Sequence, residues 1–420
     1  VQEAGTYILS GSCADGSVKV KKGVTDVTLV LDGLTLTSAS TAPITCNKSS
    51  GVKIVAAADT VNTLTDAAKN NDDSYPDNTD AENAVIKAKD GSNLILCGTG
   101  TLNVQANGKN GIKSGAATDE EGEASLVIRD LTLNITATVN DAINAEASLT
   151  GASGTLTISA ADDAIHSDYL LNIGASGTAG PTVTVTACYE GLEAATLNVY
   201  SGNIRITATD DCMNAANSDL SGYAFSLNIA GGTLWMYTTA GDGIDSNGTL
   251  TVSGGTLEVW TSNMTDNQPL DADGEISITG GTVFAAGGSA GMGMNLNASQ
   301  SYVTFGSGFS MGGMGGMGGR PGGWGGRQNN FSSTPPEMPG GRNDSGNTPP
   351  EMPNGQNMSN MQSGSDSSVS IAKGSVMSVR DSAGDELYTT EAPCSASYVI
   401  FSSAAMTDGE SYSLTAGSQT

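Results

Sequence analysis

The sequence predicts an all-β fold, a right-handed parallel β-helix or β-solenoid, on three observations. A short motif returns at the spacing of one solenoid coil, the residues between its copies alternate apolar and polar in short runs, and large core-forming side chains are scarce. The 420 residues include 56 Gly, 5% aromatics and 38% hydrophobics. Many small repeated apolar rows suit a stacked-coil protein better than a single large core.

The motif is an acidic or amide residue, a small residue, an aliphatic and a polar residue. Its copies are Asn110-Gly111-Ile112-Lys113, Asp141-Ala142-Ile143-Asn144, Asp163-Ala164-Ile165-His166, Glu190-Gly191-Leu192-Glu193, Asp211-Cys212-Met213-Asn214, Asp242-Gly243-Ile244-Asp245, Gln268-Pro269-Leu270-Asp271 and Met292-Gly293-Met294-Asn295. The aliphatic positions are spaced by 31, 22, 27, 21, 31, 26 and 24 residues. That is one solenoid turn with loops absorbing the variation.

Between copies, a short alternating strand, a turn usually carrying Gly and a second alternating strand recur. Leu250-Thr251-Val252, Ser253-Gly254-Gly255-Thr256, Leu257-Glu258-Val259 is the clearest instance. Period-two alternation sends one set of side chains inward and the other outward, so each coil has three faces. Val27–Leu31 and Val52–Val55 extend the pattern toward the first residues, which form opening coils and a cap, so the β-helix spans 1–305. A Gly/Met/Pro-rich insertion with two copies of Thr-Pro-Pro-Glu-Met-Pro fills 306–365. Alternating strands such as Tyr398–Phe401 return in 366–420 and close the solenoid. No segment sustains a helical period over 11 residues.

A formal charge of −27 and a pI near 4.1 argue against nucleic acid and anionic lipid surfaces as partners and point to cations. No apolar run reaches the roughly 18 residues of a membrane span, so no membrane insertion is expected. A start at Val1 with no signal peptide in view fits a mature or trimmed chain. The six cysteines show no CxxC or metal-ligand spacing and read as small core residues, with Cys13 and Cys46 a possible bridge in an oxidising compartment.

Equivalent positions of successive coils lie roughly 4.7–4.9 Å apart. The motif therefore stacks Asp141, Asp163, Glu190, Asp211 and Asp242 in one row, and Asn214, Glu193, Asp245 and Asp271 in a second row three residues on. Like charges at that spacing repel by about 1 kcal/mol even in water. No lysine lies between Lys113 and Lys373, and only Arg129 and Arg205 are basic across the repeat core, so the compensating cations come from solvent. Converging carboxylate and amide oxygens suit calcium, whereas the competing reading makes them solvated turn residues.

Asn62-Thr63-Leu64-Thr65-Asp66, the Asp-small-Ile coils, the Gly/Met/Pro insertion and the final strands together resemble a bacterial family of secreted β-helix carbohydrate-binding proteins. Its clostridial relatives bind cellulose and acidic sugars on a fold like that of calcium-dependent pectate lyases. The resemblance implies bound calcium, polygalacturonate- or cellulose-type ligands and a secreted or cell-surface, extracellular location. Gln268 and Met292 depart from the acidic column, which puts calcium at the last coils in question.

Lyase chemistry also needs a Lys or Arg base beside the metal-bound uronate. Lys113 and Arg205 lie outside the acidic stretch, His166 reads as a polar substitute, and adjacent acids such as Asp162-Asp163 point apart, on a strand or in a turn. A non-catalytic protein is expected. Outward columns of the second strands hold Arg205, Trp235, Glu258 and Phe284, then Thr207, Tyr237, Trp260 and Ala286. Arg205, Trp235, Tyr237, Trp260 and Phe284 thus form a candidate sugar-stacking face, unless Met311–Trp324 or another loop covers it. Two functions follow: a calcium-dependent polysaccharide-binding module, or a subunit of an extracellular filament that assembles with copies of itself.

Overall fold

The computed structural model describes residues 1–71, 82–117, 124–262, 264, 267–288, 296–306 and 369–417. The described residues are all-β, with no helix and so none long and apolar enough to cross a membrane. Successive coils contribute one strand to each of three stacks of parallel strands, the arrangement of a β-solenoid.

Inward rows hold the stacks together. In the first, Val27, Val52, Leu94, Leu126, Leu149, Leu171, Leu197, Leu227, Leu250 and Ile276 follow in register. The second runs Leu36, Leu64, Val104, Ile135, Ile158, Val185, Ile206, Met236, Val259 and Ala285. The third is the motif's aliphatic position, preceded by Ile44 and Ile86: Ile112, Ile143, Ile165, Leu192, Met213 and Ile244. Nearly all of these side chains are fully buried in one core, each stabilising the stack by roughly 1.5–3 kcal/mol. Asparagine ladders tie coils on the outside, with Asn228 donating to Asn198 and Asn198 to Asn172, each at 3.0 Å.

The corner between the first and second stacks needs glycine. Gly232, Gly255 and Gly281 have φ of 94°, 82° and 82°. A Cβ on Gly255 would stand 2.7 Å from the Gly232 oxygen, and one on Gly281 would stand 2.7 Å from that of Gly255. The motif's small position is equally tight. A Cβ on Gly191 would collide with the Cys212 carbonyl and stand 2.8 Å from Ile206 Cγ2. Gly191→Ala is expected to lower stability by about 1–3 kcal/mol, read as an earlier urea midpoint.

The C-terminal segment builds a second, smaller core. Strand Tyr398–Ser403 runs antiparallel to Thr282–Gly287 and to Tyr302–Phe305, with Phe401 opposite Phe284. Strands Val376–Arg380, Glu386–Glu391 and Ser413–Ala416 form a three-stranded antiparallel sheet whose Met377 and Val379 pack with Trp260, Phe284 and Phe401.

This core corrects the expected aromatic face. Trp260 and Phe284 are fully buried, and Tyr388 of the C-terminal sheet stacks on Phe284 at 5.3 Å and 22°. The cover is therefore the C-terminal strands, because the outward columns turn aromatic where those strands land. A Cys13–Cys46 bridge is also absent, since all six thiols are free. Cys13 pairs with Leu36 in one stack, whereas Cys46 lies in another between Val20 and Ala88. The Met292 copy of the motif and, apart from Gly306, the 306–365 stretch lie outside the described residues.

Candidate functional site

The motif's first residue sits in the turn that enters the third stack, and its fourth lies on the outward side of that stack's strand. Backbone bonds fix the first row. Gly111 donates to the Asp141 carbonyl, Ala142 to Asp163, Ala164 to Glu190, Gly191 to Asp211, Cys212 to Asp242 and Gly243 to Gln268, all at 2.9–3.2 Å. Strand register fixes the second, running from Lys113 through Asn144, His166, Glu193 and Asn214 to Asp245. Asp271 follows, its backbone N–H bonded to Ile244.

Three acids of the first row have a structural task on one oxygen. Asp141 Oδ1 accepts the N–H of Asp163 at 3.3 Å, Asp211 Oδ1 that of Asp242 at 2.6 Å, and Asp242 Oδ1 that of Gln268 at 2.5 Å. Each thus caps the turn of the next coil, a use that favours Asp at this position. Three clusters bring together ligand atoms lying within 4.8 Å of one another: Asp141 with Asp162 and Asp163, Asp163 with His166 and Glu193, and Asp242 with Asp245 and Asp271. Asp162 is a correction. It lies in a turn, and there its carboxylate comes within 4.8 Å of that of Asp163, although adjacent acids in a turn were expected to point apart.

The middle cluster contains its own cation. His166 Nδ1 lies 2.5 Å from Glu193 Oε2 and 3.3 Å from Asp163 Oδ2, and Nε2 lies 3.0 Å from Asp168 Oδ1. Burial opposes its charge, but the bonds to Asp163, Asp168 and Glu193 override it and push its pKa up to about 12. His166 is therefore the internal counter-charge for this coil. The Asp242 cluster contains no histidine.

Burial raises the row carboxyls, and neighbouring acids add to it: Asp163 and Asp242 to about 7, Glu190 and Asp211 to about 8, and Asp245 to about 6. Two amides complete the oxygen set. Asn144 Nδ2 donates to Asp141 at 2.7 Å and Asn214 Nδ2 to Glu190 at 3.1 Å, leaving the buried Oδ1 of each with no hydrogen-bond donor. Buried oxygens without donors normally have a partner. Oxygen-only sets of this kind match a hard divalent cation rather than a soft one.

These shifts set a pH dependence for the metal-free protein. A carboxyl whose folded pKa exceeds its unfolded value of about 4 favours folding most when protonated, so its contribution falls as pH rises from about 4 through the folded values of about 6 to 8. His166 contributes fully below its unfolded value near 6.5 and loses that contribution toward about 12. Both act in one direction. The melting temperature of chelator-treated protein is expected to drop between pH 5 and pH 9, measured by circular dichroism.

Of the residues expected to contact a ligand, Arg205 is exposed, Trp235 and Tyr237 are half-buried with Tyr237 packed against the C-terminal core, and Trp260 and Phe284 are fully buried. The Arg205 guanidinium lies 3.4 Å over the Trp235 ring centre, so one indole face is already covered by a cation–π contact. Tyr189 was not singled out in the sequence. It is 49% exposed, immediately precedes Glu190 and bonds to Asp210. Its signal was position, an aromatic one residue ahead of the ladder.

The described residues thus form a parallel-stranded solenoid with aligned oxygen rows and an exposed tyrosine beside them. The family model for carbohydrate-binding domain-containing proteins matches residues 1–291, and the chain belongs to that family. A carbohydrate-binding domain-containing protein of Acetivibrio thermocellus is 36% identical over 113 residues, 27% of this chain and 38% of the relative. The match thus spans well under half of that relative's length. A solved structure of a polysaccharide lyase-like protein from C. thermocellum, a gadolinium derivative, aligns at 23% identity with a TM-score of 0.38, over 59% of this chain and 84% of its own.

Proposed function

We propose that this is a non-catalytic, calcium-binding polysaccharide-binding protein, secreted or held at the cell surface, that docks acidic or cellulosic glycan along the oxygen rows of a right-handed parallel β-helix. The observation that carries this reading is the registered pair of rows with buried, donorless amide oxygens at Asn144 and Asn214. Asp242, Asp245 and Asp271 would hold one ion, and Asp141, Asp162 and Asp163 with Asn144 nearby another. Calcium, when bound, neutralises the rows and offers open coordination positions to sugar hydroxyls and carboxylates. The protein's own groups do the rest: Asn144 and Asn214 orient Asp141 and Glu190, and Tyr189 offers a ring for a sugar face. Family membership supports carbohydrate as the ligand class.

The two basic residues weighed and set aside as lyase bases are engaged elsewhere, which favours binding over catalysis. Lys113 pairs with Glu146 at 2.8 Å and Arg205 lies on Trp235. The test is retention of the purified chain on insoluble pectate and on cellulose, with calcium and then with chelator. Calcium-dependent retention on either supports the reading, and none on both refutes it. Release of unsaturated uronate ends would contradict the non-catalytic part.

A further inference from the structure

The outward side of the second stack differs in kind from that of the third. Its middle column runs in register through Thr63, Asn103, Asn134, Thr157, Thr184 and Arg205. Thr155-Leu156-Thr157-Ile158-Ser159 and Thr182-Val183-Thr184-Val185-Thr186 show the pattern most plainly, with their aliphatic residues buried and their hydroxyls outward. From strand Thr101–Ala106 to strand Asn203–Ala208, the middle column and its two flanking columns hold hydroxyls and amides, apart from Ala187 at a bulge and Arg205. Arg205 is the one charged side chain on this face.

A chain of net charge −27 thus keeps one sheet face free of carboxylates. Threonine favours strands in any setting, so composition alone would mark no more than a solvated face. Solvation does not keep charge out, however: soluble surfaces are commonly about 25–35% charged, and the same coils line the third stack with acids. The face is also open and ordered. Thr155, Thr157, Thr182 and Asn203 are exposed, Asn134 Nδ2 donates to Asn103 Oδ1 at 2.9 Å, and Asn103 Nδ2 donates to Thr63 Oγ1 at 3.5 Å. It has a defined end, where Arg205 lies over Trp235 and the middle column passes under the C-terminal strands at Glu258 and Phe284. Its polar groups repeat roughly every 4.8 Å along the stack and every 6.6 Å across it.

We propose that the outward face of the second stack binds a neutral, extended β-1,4-linked polysaccharide that lies along the solenoid axis with one sugar unit over each coil. This rests on the polysaccharide-binding reading and gives neutral glycan a separate, metal-independent face. The coil repeat of roughly 4.8 Å is close to the length of one unit in such a chain. Threonine hydroxyls and asparagine amides both donate and accept, as sugar hydroxyls do. An uncharged face also gives up its water at lower cost than a charged one. Each coil offers the same kind of contact, so binding accumulates unit by unit along the stack. An acidic glycan finds a single cation there, at Arg205.

The test titrates cello-oligosaccharides from trimer to hexamer, and oligogalacturonate, into the full chain in calcium and in chelator, for wild type, Thr157→Glu and Thr157→Ser. Thr157 is exposed in the middle column, so neither change reaches the core. Wild-type affinity for the neutral sugar is expected to rise with each added unit and to be the same in calcium and in chelator. Thr157→Glu should bind the hexamer about tenfold more weakly and Thr157→Ser near-natively, with oligogalacturonate binding unchanged in both. The chain-length and chelator arms need no variant. No gain from trimer to hexamer, a calcium requirement for the neutral sugar, or unchanged hexamer affinity in Thr157→Glu overturns the proposal. Self-association of wild type that Thr157→Glu abolishes assigns the face to a second copy of the chain and also overturns it. Calcium-dependent binding of oligogalacturonate with no binding of cello-oligosaccharide sinks this inference and leaves the oxygen-row reading intact. Binding of neither sugar sinks both.

Discussion

Trp260→Ala is expected to destabilise the protein by about 3–5 kcal/mol and to leave glycan binding intact in the fraction that remains folded. Trp260 is fully buried, its ring centre 5.3 Å from that of Phe284, in the core that joins the last coils to the C-terminal strands. Its Nε1 donates to Glu258 at 2.7 Å, and Tyr388 and Thr390 donate to the same carboxylate at 2.7 and 2.6 Å. Truncation therefore leaves a large cavity and removes one of three donors from a buried acid. Urea denaturation followed by tyrosine fluorescence or circular dichroism measures the loss. Native stability combined with abolished glycan binding would restore Trp260 as a surface residue and contradict this packing.

Calcium added to chelator-treated protein is expected to raise stability by about 2.7 kcal/mol for each independent site at a hundredfold excess over its dissociation constant. The reason is that the rows are costly without cations: burial and mutual repulsion lift Asp163, Glu190, Asp211 and Asp242 into or above the neutral range. Because bound ions must displace those protons, the calcium effect grows as pH rises from about 6 to 8. Asp242→Asn combined with Asp245→Asn removes two charges from a cluster of three carboxylates that contains no histidine. The variant should be more stable than wild type in chelator and gain less from calcium. Differential scanning calorimetry in calcium and in chelator distinguishes the four states, and a melting temperature indifferent to calcium would contradict the assignment.

Register was legible in the sequence because the side-chain period of a strand is two and a coil repeats its aliphatic position. Ile112, Ile143, Ile165, Leu192, Met213 and Ile244 align as their spacing implies, and Arg205, Trp235, Glu258 and Phe284 share one column. Exposure was not legible. Alternation marks Phe284 as outward, but only tertiary contact with Phe401 and Tyr388, more than a hundred residues later, makes outward mean buried. The same limit applies to Asp162, whose orientation depends on a turn, and to His166. The latter reads as a polar substitute in its row, yet three carboxylates within 3.3 Å favour its charged form.

The most direct test of the central claim measures oligogalacturonate affinity of the full chain across a calcium titration, beside the Asp242→Asn, Asp245→Asn double variant. Coupling between the oxygen rows and the glycan predicts that affinity rises over the calcium range in which the ion itself binds, and that the double variant blunts the rise. An affinity that is the same in chelator and in calcium, or a calcium response unchanged by the double substitution, would contradict it.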